Sequence, residues 1–447
     1  MEAQKQERLL DLVVVTLAWL FVFLGAPPSV AAHDDATSGR LLHPVVLLPG
    51  YSCSQLDARL TGEYRSSSSA AAAAAAAGCG RRKQGRGWFR LWENTTALQE
   101  DPTLLPCYAD QLRLVYDHAA GDYRNLPGVD TRVVSFGTAQ SFRFDDPVQR
   151  NNCMARLVEA LEGVGYREGA NLFGAPYDFR HAPAAPGVAS AAFSGFTSAL
   201  AHLVEHASAT NGGRPVIFVT HSFGGTFAME FLGRSPPAWR RRHVKHLVML
   251  SLGVGGSPFI LQSVAAAAAA ATPATLLASI LSFGNRSFAS AFALLPSPTV
   301  FGGDAPLVIT PARNYTAGDL PEFLAAAGFS GDEVERYRTR SLPLALDPRV
   351  PGVPMTSING VGVRTVDKLI YLDGNFSANP RLVYGDGDGV VNLKTVLALD
   401  KLIGQDPNQC YFKSVLIPNM THTGMVYDDL ALKRVVSEIL EASQATS

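Results

Sequence analysis

Three residue types stand in the chain in an order that suits acyl chemistry: a serine at 222, an aspartate at 388 and a histidine at 422. A serine hydroxyl is a weak nucleophile near neutral pH, so it needs a base to take its proton and a third group to orient that base. Ser222 lies in "FVTHSFGGTFAMEFL", residues 218–232, where Thr220-His221-Ser222-Phe223-Gly224 matches G-x-S-x-G at the serine and the second glycine. Thr220 replaces the usual first glycine and crowds the turn. In a nucleophile elbow the serine sits between a strand and a helix, and the next backbone N–H, here that of Phe223, faces the developing oxyanion. "RLVYGDGDGVVNL" (381–393) offers carboxylates in a Gly- and Asp-rich loop after an apolar run, and "VLIPNMTHTGMV" (415–426) places His422 after Val415, Leu416 and Ile417. Each segment alone reads as an ordinary turn. Together they supply nucleophile, acid and base in the chain order of one hydrolase architecture.

Those side chains need strands that end beside one another. Val216 to Val219 and Val45 to Leu48 are short β-branched and aliphatic runs bounded by Gly and Pro, the pattern of strands buried on both faces of a parallel sheet. The residues from Gly225 to Leu232 suit a helix after the elbow. Pro49-Gly50-Tyr51 follows the early strand, and the loop at that place supplies the second oxyanion donor, so the Tyr51 amide is the expected partner of Phe223. The fold class expected is α/β: an α/β-hydrolase fold with a mostly parallel sheet flanked by helices and with lid insertions.

A wider set of segments carries a resemblance. "VVLLPGYSCSQLDARL", "GAPYDFR" (174–180), "THSFGG", "SLGVGGSP" (251–258), "ITPARNYT" (309–316) and "YGDGDGVVNLKT" (384–395), with the His422 segment, resemble successive blocks of the lecithin:cholesterol acyltransferase and lysosomal phospholipase A2 family, above all its plant lecithin:cholesterol acyltransferase-like members. The likeness runs over about residues 43 to 440. It implies attack on an acyl ester of a glycerophospholipid, with the acyl group passed to a sterol, another lipid alcohol or water. Block by block it makes Ser222 the nucleophile, Asp388 rather than Asp386 the acid and His422 the base, and puts Tyr51 at the oxyanion position, where the family has another residue type. It also implies a disulfide between Cys79 and Cys107 closing a lipid-contacting lid over about residues 60–125, and a mobile active-site loop over about 257–300. Cys53, Cys153 and Cys410 are then expected as free, buried thiols. The partners implied are a phospholipid membrane or lipoprotein-like surface and the acyl acceptor. A soluble carboxylesterase and a catalytically silent lipid-binding protein remain the alternative readings.

Composition bounds the rest. The 447 residues are 47% hydrophobic, enough for one large catalytic domain over 33–447, and 38 basic residues against 39 acidic ones give a net charge of −1. That balance implies no broad attraction to nucleic acid or anionic lipid. The local exception is Arg81-Arg82-Lys83 with Arg86, Trp88, Phe89, Arg90 and Trp92, cations interleaved with aromatics, so Trp88, Phe89 and Trp92 are the expected lid and membrane contacts. Lys5 and Arg8 precede the apolar Leu12 to Ala26, and small residues end near Ala32, which reads as a secretory signal over 1–32. About 15 apolar residues fall short of the roughly 20 that span a bilayer, so an uncleaved anchor is the lesser alternative. The location expected is the secretory pathway: secreted, vacuolar or endomembrane lumen. There, Asn94, Asn285, Asn314, Asn375 and Asn419 are sequon asparagines. "SSSSAAAAAAAAG" (66–78) reads as a disordered insertion. No CxxC or HExxH cluster occurs, and no metal or cofactor is expected. Asp178 and Arg180 are expected to form a structural ion pair.

Overall fold

The computed structural model describes residues 42–65, 85, 87–101, 104–266 and 286–445. The expected signal segment, the 66–78 tract, Cys79, Asn285, the cations at 81–83 and 86, and residues 267–285 of the Ala-rich loop lie outside these described residues.

Six strands form the central sheet: β1 (Val45–Leu48), β2 (Leu172–Gly174), β3 (Val216–His221), β4 (Val244–Leu250), β5 (Met355–Val361) and β6 (Phe412–Pro418). Their order is β6-β5-β4-β3-β1-β2, and every pairing is parallel. β1 and β3 are buried at every residue, which is why both read as unbroken apolar runs. Alternate side chains face opposite ways. Val45, Leu47, Ile217 and Val219 pack under helices α1 (Ala155–Glu162) and α5 (Asp429–Gln444). Val46, Leu48, Val216 and Phe218 pack under α2 (Ala191–Thr210), α3 (Phe223–Arg234) and α4 (Leu393–Gly404). Helices on both faces of a parallel sheet bury it completely, and the arrangement is the expected α/β-hydrolase layout.

A four-stranded sheet lies outside this core, in the order Asn314–Tyr315, Val308–Ile309, Val363–Ile370, Arg381–Gly387. Its own apolar cluster includes Phe292, Phe323, Tyr337 and Leu369. The chain leaves β5 at Val361, runs out along Val363–Ile370 and returns antiparallel along Arg381–Gly387, with Val363 opposite Gly387. The strand that delivers Asp388 therefore belongs to the outer sheet, while its end returns to the carboxyl ends of β5 and β6.

Among the described residues in and around the region expected as a lid, Phe89–Trp92, Leu56–Leu60 and Val129–Val133 form an antiparallel sheet, and Leu114–Asp117 pairs with Asp122–Asn125 as a hairpin. Three sequence expectations need correction here. Trp92 is no surface contact: it is fully buried, its indole N–H donates to Ser52 O at 2.7 Å, and its ring packs 5.2 Å from that of Phe179. Cys53 and Cys153 are not free thiols but a disulfide closing a sequence separation of 100 residues. Both sulfurs are buried against Phe144, so burial reads the same whether they are paired or free. Cys410 is free, as expected, but exposed. Cys107 is disulfide-bonded, and Cys79, its expected partner, is outside the described residues. No described helix is long and apolar enough to cross a membrane.

Candidate active site

β3 runs to His221, and α3 begins at Phe223, so Ser222 is the single residue of the turn. Its φ of 52° and ψ of −123° lie outside the ordinary regions for a non-glycine residue. The Ser222 N–H donates to Leu250 O at 2.9 Å, pinning the turn to the end of β4. Two glycines leave room around it. A Cβ on Gly50 would stand 3.4 Å from Ser222 Cβ and 2.8 Å from His221 Nδ1, and one on Gly253 would stand 2.5 Å from Ser222 C and 2.9 Å from Phe223 N. Gly253 therefore leaves the Phe223 amide uncovered, and Gly50 brings the Tyr51 turn against the elbow. The Tyr51 ring lies 6.2 Å from that of Phe223 and 5.4 Å from that of Phe179. Burial raises its phenol well above the ordinary value, against the opposing hydrogen bond to Ser290.

His422 sits in the loop after β6, and its Nδ1 is 2.8 Å from Asp388 Oδ2. Both side chains are buried, at 8% and 2% exposure. The other carboxylate oxygen, Oδ1, accepts the N–H groups of Val390 at 2.9 Å and Val391 at 2.7 Å. Burial alone raises the Asp388 carboxyl. The His422 imidazole and these hydrogen bonds outweigh it, and the net shift is below the ordinary carboxylate value. An ionised Asp388 makes Nδ1 the protonated nitrogen of His422 and leaves Nε2 as the acceptor a base requires.

Asp386 has a different environment. It is exposed, and its Oδ1 accepts the Gly362 N–H at 2.6 Å. Of the two aspartates of "GDGDG", only Asp388 meets His422. Ser222 follows His221 in the chain, and the His221 and His422 rings are 5.0 Å apart. His221 and Ser251 also meet His422, at its carbonyl oxygen, and both lie in segments whose types mark them out for no role. Nothing in their types separates a support from a bystander.

The family profile described as lecithin:cholesterol acyltransferase matches residues 88–342. A rice protein named lecithin-cholesterol acyltransferase-like 1 is 42% identical over 404 residues, which cover 90% of this chain and 88% of that protein. The chain belongs to the lecithin:cholesterol acyltransferase family. A dog relative in this family, lysosomal phospholipase A and acyltransferase, is 31% identical over 94% of this chain and 95% of its own. Human phosphatidylcholine-sterol acyltransferase is 28% identical over 95% of this chain and 90% of its own.

Two further features of this family member lie apart from the Asp388–His422 pair. Arg180 is fully buried and bonds Asp178 through Nε at 2.8 Å, Leu112 O at 3.1 Å, Asn125 Oδ1 at 2.8 Å and Thr131 Oγ1 at 2.9 Å. Asp178 is held down to about 2, because the Arg180 charge and its hydrogen bonds outweigh desolvation, the largest single influence. At the surface, Trp88 is 37% exposed, with the guanidinium groups of Arg59 and Arg132 at 5.2 and 4.4 Å from its ring centre. Phe89 is half-buried.

Proposed function

We propose that this lipid acyltransferase and phospholipase works through Ser222, with His422 as its base and Asp388 as the group that orients the base. The observation that carries the reading is the buried 2.8 Å contact between His422 Nδ1 and Asp388 Oδ2; a serine on a strand-to-helix turn at φ 52° supports it. Ser222 Oγ attacks the carbonyl carbon of a glycerophospholipid ester while His422 Nε2 takes its proton. The Tyr51 and Phe223 amides hold the charged oxygen of the tetrahedral intermediate, an effect of a few kcal/mol, roughly 3 per donor. The C–O bond to the glycerol then breaks, His422 returns the proton to the departing alkoxide, and lysophospholipid leaves. A hydroxyl acceptor enters, gives its proton to His422 and takes the acyl group, and His422 passes that proton to the departing Ser222 Oγ. Water as the acceptor gives a phospholipase, and a sterol or other lipid alcohol gives a transferase. Exclusion of water decides between them.

The substrate is taken from a phospholipid membrane or lipoprotein-like surface, with Trp88 as the contact, since its amphipathic ring is exposed between two cations. The location is the lumen of the secretory pathway or beyond. Cys53–Cys153 supports this, since such bonds persist in oxidising compartments.

The test is incubation with labelled phosphatidylcholine vesicles, with and without a sterol, followed by separation of free fatty acid, lysolipid and acylated acceptor. Lysolipid is expected from the wild type and none above background from Ser222→Ala. Equal lysolipid from both proteins ends the assignment of the serine. Sterol ester at background, with lysolipid formed, removes the sterol as acceptor and leaves the phospholipase.

A further inference from the structure

The direction of a histidine ring is set by the backbone that carries it, and the backbone of His422 is held at both of its polar groups. Its N–H donates to Asp388 O at 2.8 Å. Its carbonyl oxygen lies 3.0 Å from His221 Nε2 and accepts the Ser251 hydroxyl at 3.3 Å. We propose that His221 and Ser251 are positioning residues: together they hold the His422 carbonyl and thereby aim the His422 imidazole between Asp388 and Ser222. The proposal rests on the assignment of these three residues given above and adds two members that never touch substrate.

The chemistry of the contact fixes the state of His221. A carbonyl oxygen only accepts, so Nε2 must carry the proton and Nδ1 must be bare. Nδ1 has no hydrogen-bond partner among the described residues, and the space beside it is the space a Cβ on Gly50 would fill at 2.8 Å. Burial, and after it the neighbouring His422, push His221 down to about 3. It therefore remains a neutral donor across any ordinary working range, with no tendency to compete with His422 for the serine proton. The groups facing it are His422 and Asp388 across the site.

The strand ends explain why these two residues can act together. His221 closes β3 and Ser251 follows β4, neighbouring strands in register from Ile217↔His246 to His221↔Leu250. Ser251 has φ of 49°, is fully buried, and is fixed by its N–H to Ile358 O at 2.8 Å on the next strand. A donor from each of two adjacent strand ends thus meets one carbonyl on the loop after β6. The loop itself is pinned at its start by the Asn419 N–H on Val361 O at 2.6 Å. Releasing the carbonyl would leave the His422 backbone held by its N–H on Asp388 O alone among its own two polar groups.

Glutamine places an amide N–H near where the histidine Nε2–H stands, whereas phenylalanine fills the ring space and donates nothing. The experiment compares wild type, His221→Gln, His221→Phe, Ser251→Ala and the control Ser222→Ala, by the rate of labelling with a fluorophosphonate and by kcat and KM on phosphatidylcholine vesicles. His221→Phe is expected to lose roughly ten- to a hundredfold in kcat and labelling rate with KM unchanged, the scale of a misplaced catalytic group. His221→Gln should recover most of that loss, and Ser251→Ala should lose roughly fivefold, as one net hydrogen bond is worth. The low-field proton NMR signal of the His422–Asp388 bond should weaken in His221→Phe and persist in His221→Gln. Wild-type kcat in His221→Phe, or a glutamine variant as slow as the phenylalanine one, overturns the proposal. If His221→Phe does not fold, wild-type kcat in Ser251→Ala overturns it. Labelling that survives in Ser222→Ala instead sinks the assignment of the serine, a result separable from all of these.

Discussion

At the scale of single residues, the two aspartates of "GDGDG" show how far side-chain type reaches. Both are carboxylates in a Gly-rich turn two positions apart, and their types and spacing do not separate them. The structure does: Asp388 is buried at 2% exposure and bonded to His422, while Asp386 is exposed and caps a backbone N–H. Asp388→Asn puts an amide where His422 Nδ1–H needs an acceptor and favours the wrong imidazole tautomer. Turnover of phosphatidylcholine vesicles should fall by about 10³- to 10⁴-fold, the effect known for this exchange in a serine triad. Asp386→Asn should retain wild-type turnover. A slow Asp386→Asn with an active Asp388→Asn would reverse the assignment. The order Ser, Asp, His was legible because each residue follows a strand-like apolar run. His221 and Ser251 were not, because a supporting hydrogen bond to a carbonyl leaves no mark on residue type or spacing.

At the scale of elements, the central strands were legible and the lid was only partly so. β1 and β3 are buried on both faces and read as continuous apolar runs. In Phe89–Trp92 the burial is half, half, full and full along the strand, so the aromatic–cation alternation that suggests a surface holds for Trp88 and fails for Trp92. The strand dives into the core between them, against Phe179, and that contact depends on a residue 87 positions away by subtraction of 92 from 179. Arg180 ties two outer elements together. It reaches Asn125 on the hairpin and Thr131 on the three-stranded sheet, and its carbonyl accepts the Ser290 N–H at 3.2 Å. Replacing it by Met keeps the volume but leaves the partly buried Asp178 carboxylate without its guanidinium partner. Arg180→Met should lower unfolding free energy by about 3–5 kcal/mol, read as a reduced urea midpoint. A midpoint equal to that of the wild type would show that the Asp178 charge finds water once the arginine is gone.

At the scale of the whole molecule, what sequence could not supply was long-range pairing. Cys53 and Cys153 are small, buried and 100 residues apart, and nothing local says that the loop after β1 meets the turn before α1. Closing so long a loop restricts the unfolded chain, so Cys153→Ser should cost about 2–4 kcal/mol of stability, seen as a lower unfolding midpoint. The response to acid is a second property of the whole chain, and three groups with large shifts contribute to it. His221 is pushed down to about 3 and His246 to about 4, in both cases chiefly by burial. Glu93 is pushed up to about 7, again first by burial. Between about pH 4.5 and 6.5 the unfolded chain protonates both histidines while the folded chain protonates neither, so each contributes stability that is lost as pH falls. Glu93 acts oppositely, since in that window the folded state holds its proton and the unfolded state does not. Two protons taken up against one given back leave a net uptake of one on unfolding, worth about 1.4 kcal/mol per pH unit. The urea midpoint should therefore fall between pH 7.5 and 5.5. Glu93→Gln removes the opposing group, because a glutamine never ionises, and should make that fall steeper. An unchanged fall in Glu93→Gln would mean that Glu93 is already ionised in the folded protein at pH 5.5, with its charge matched by a partner.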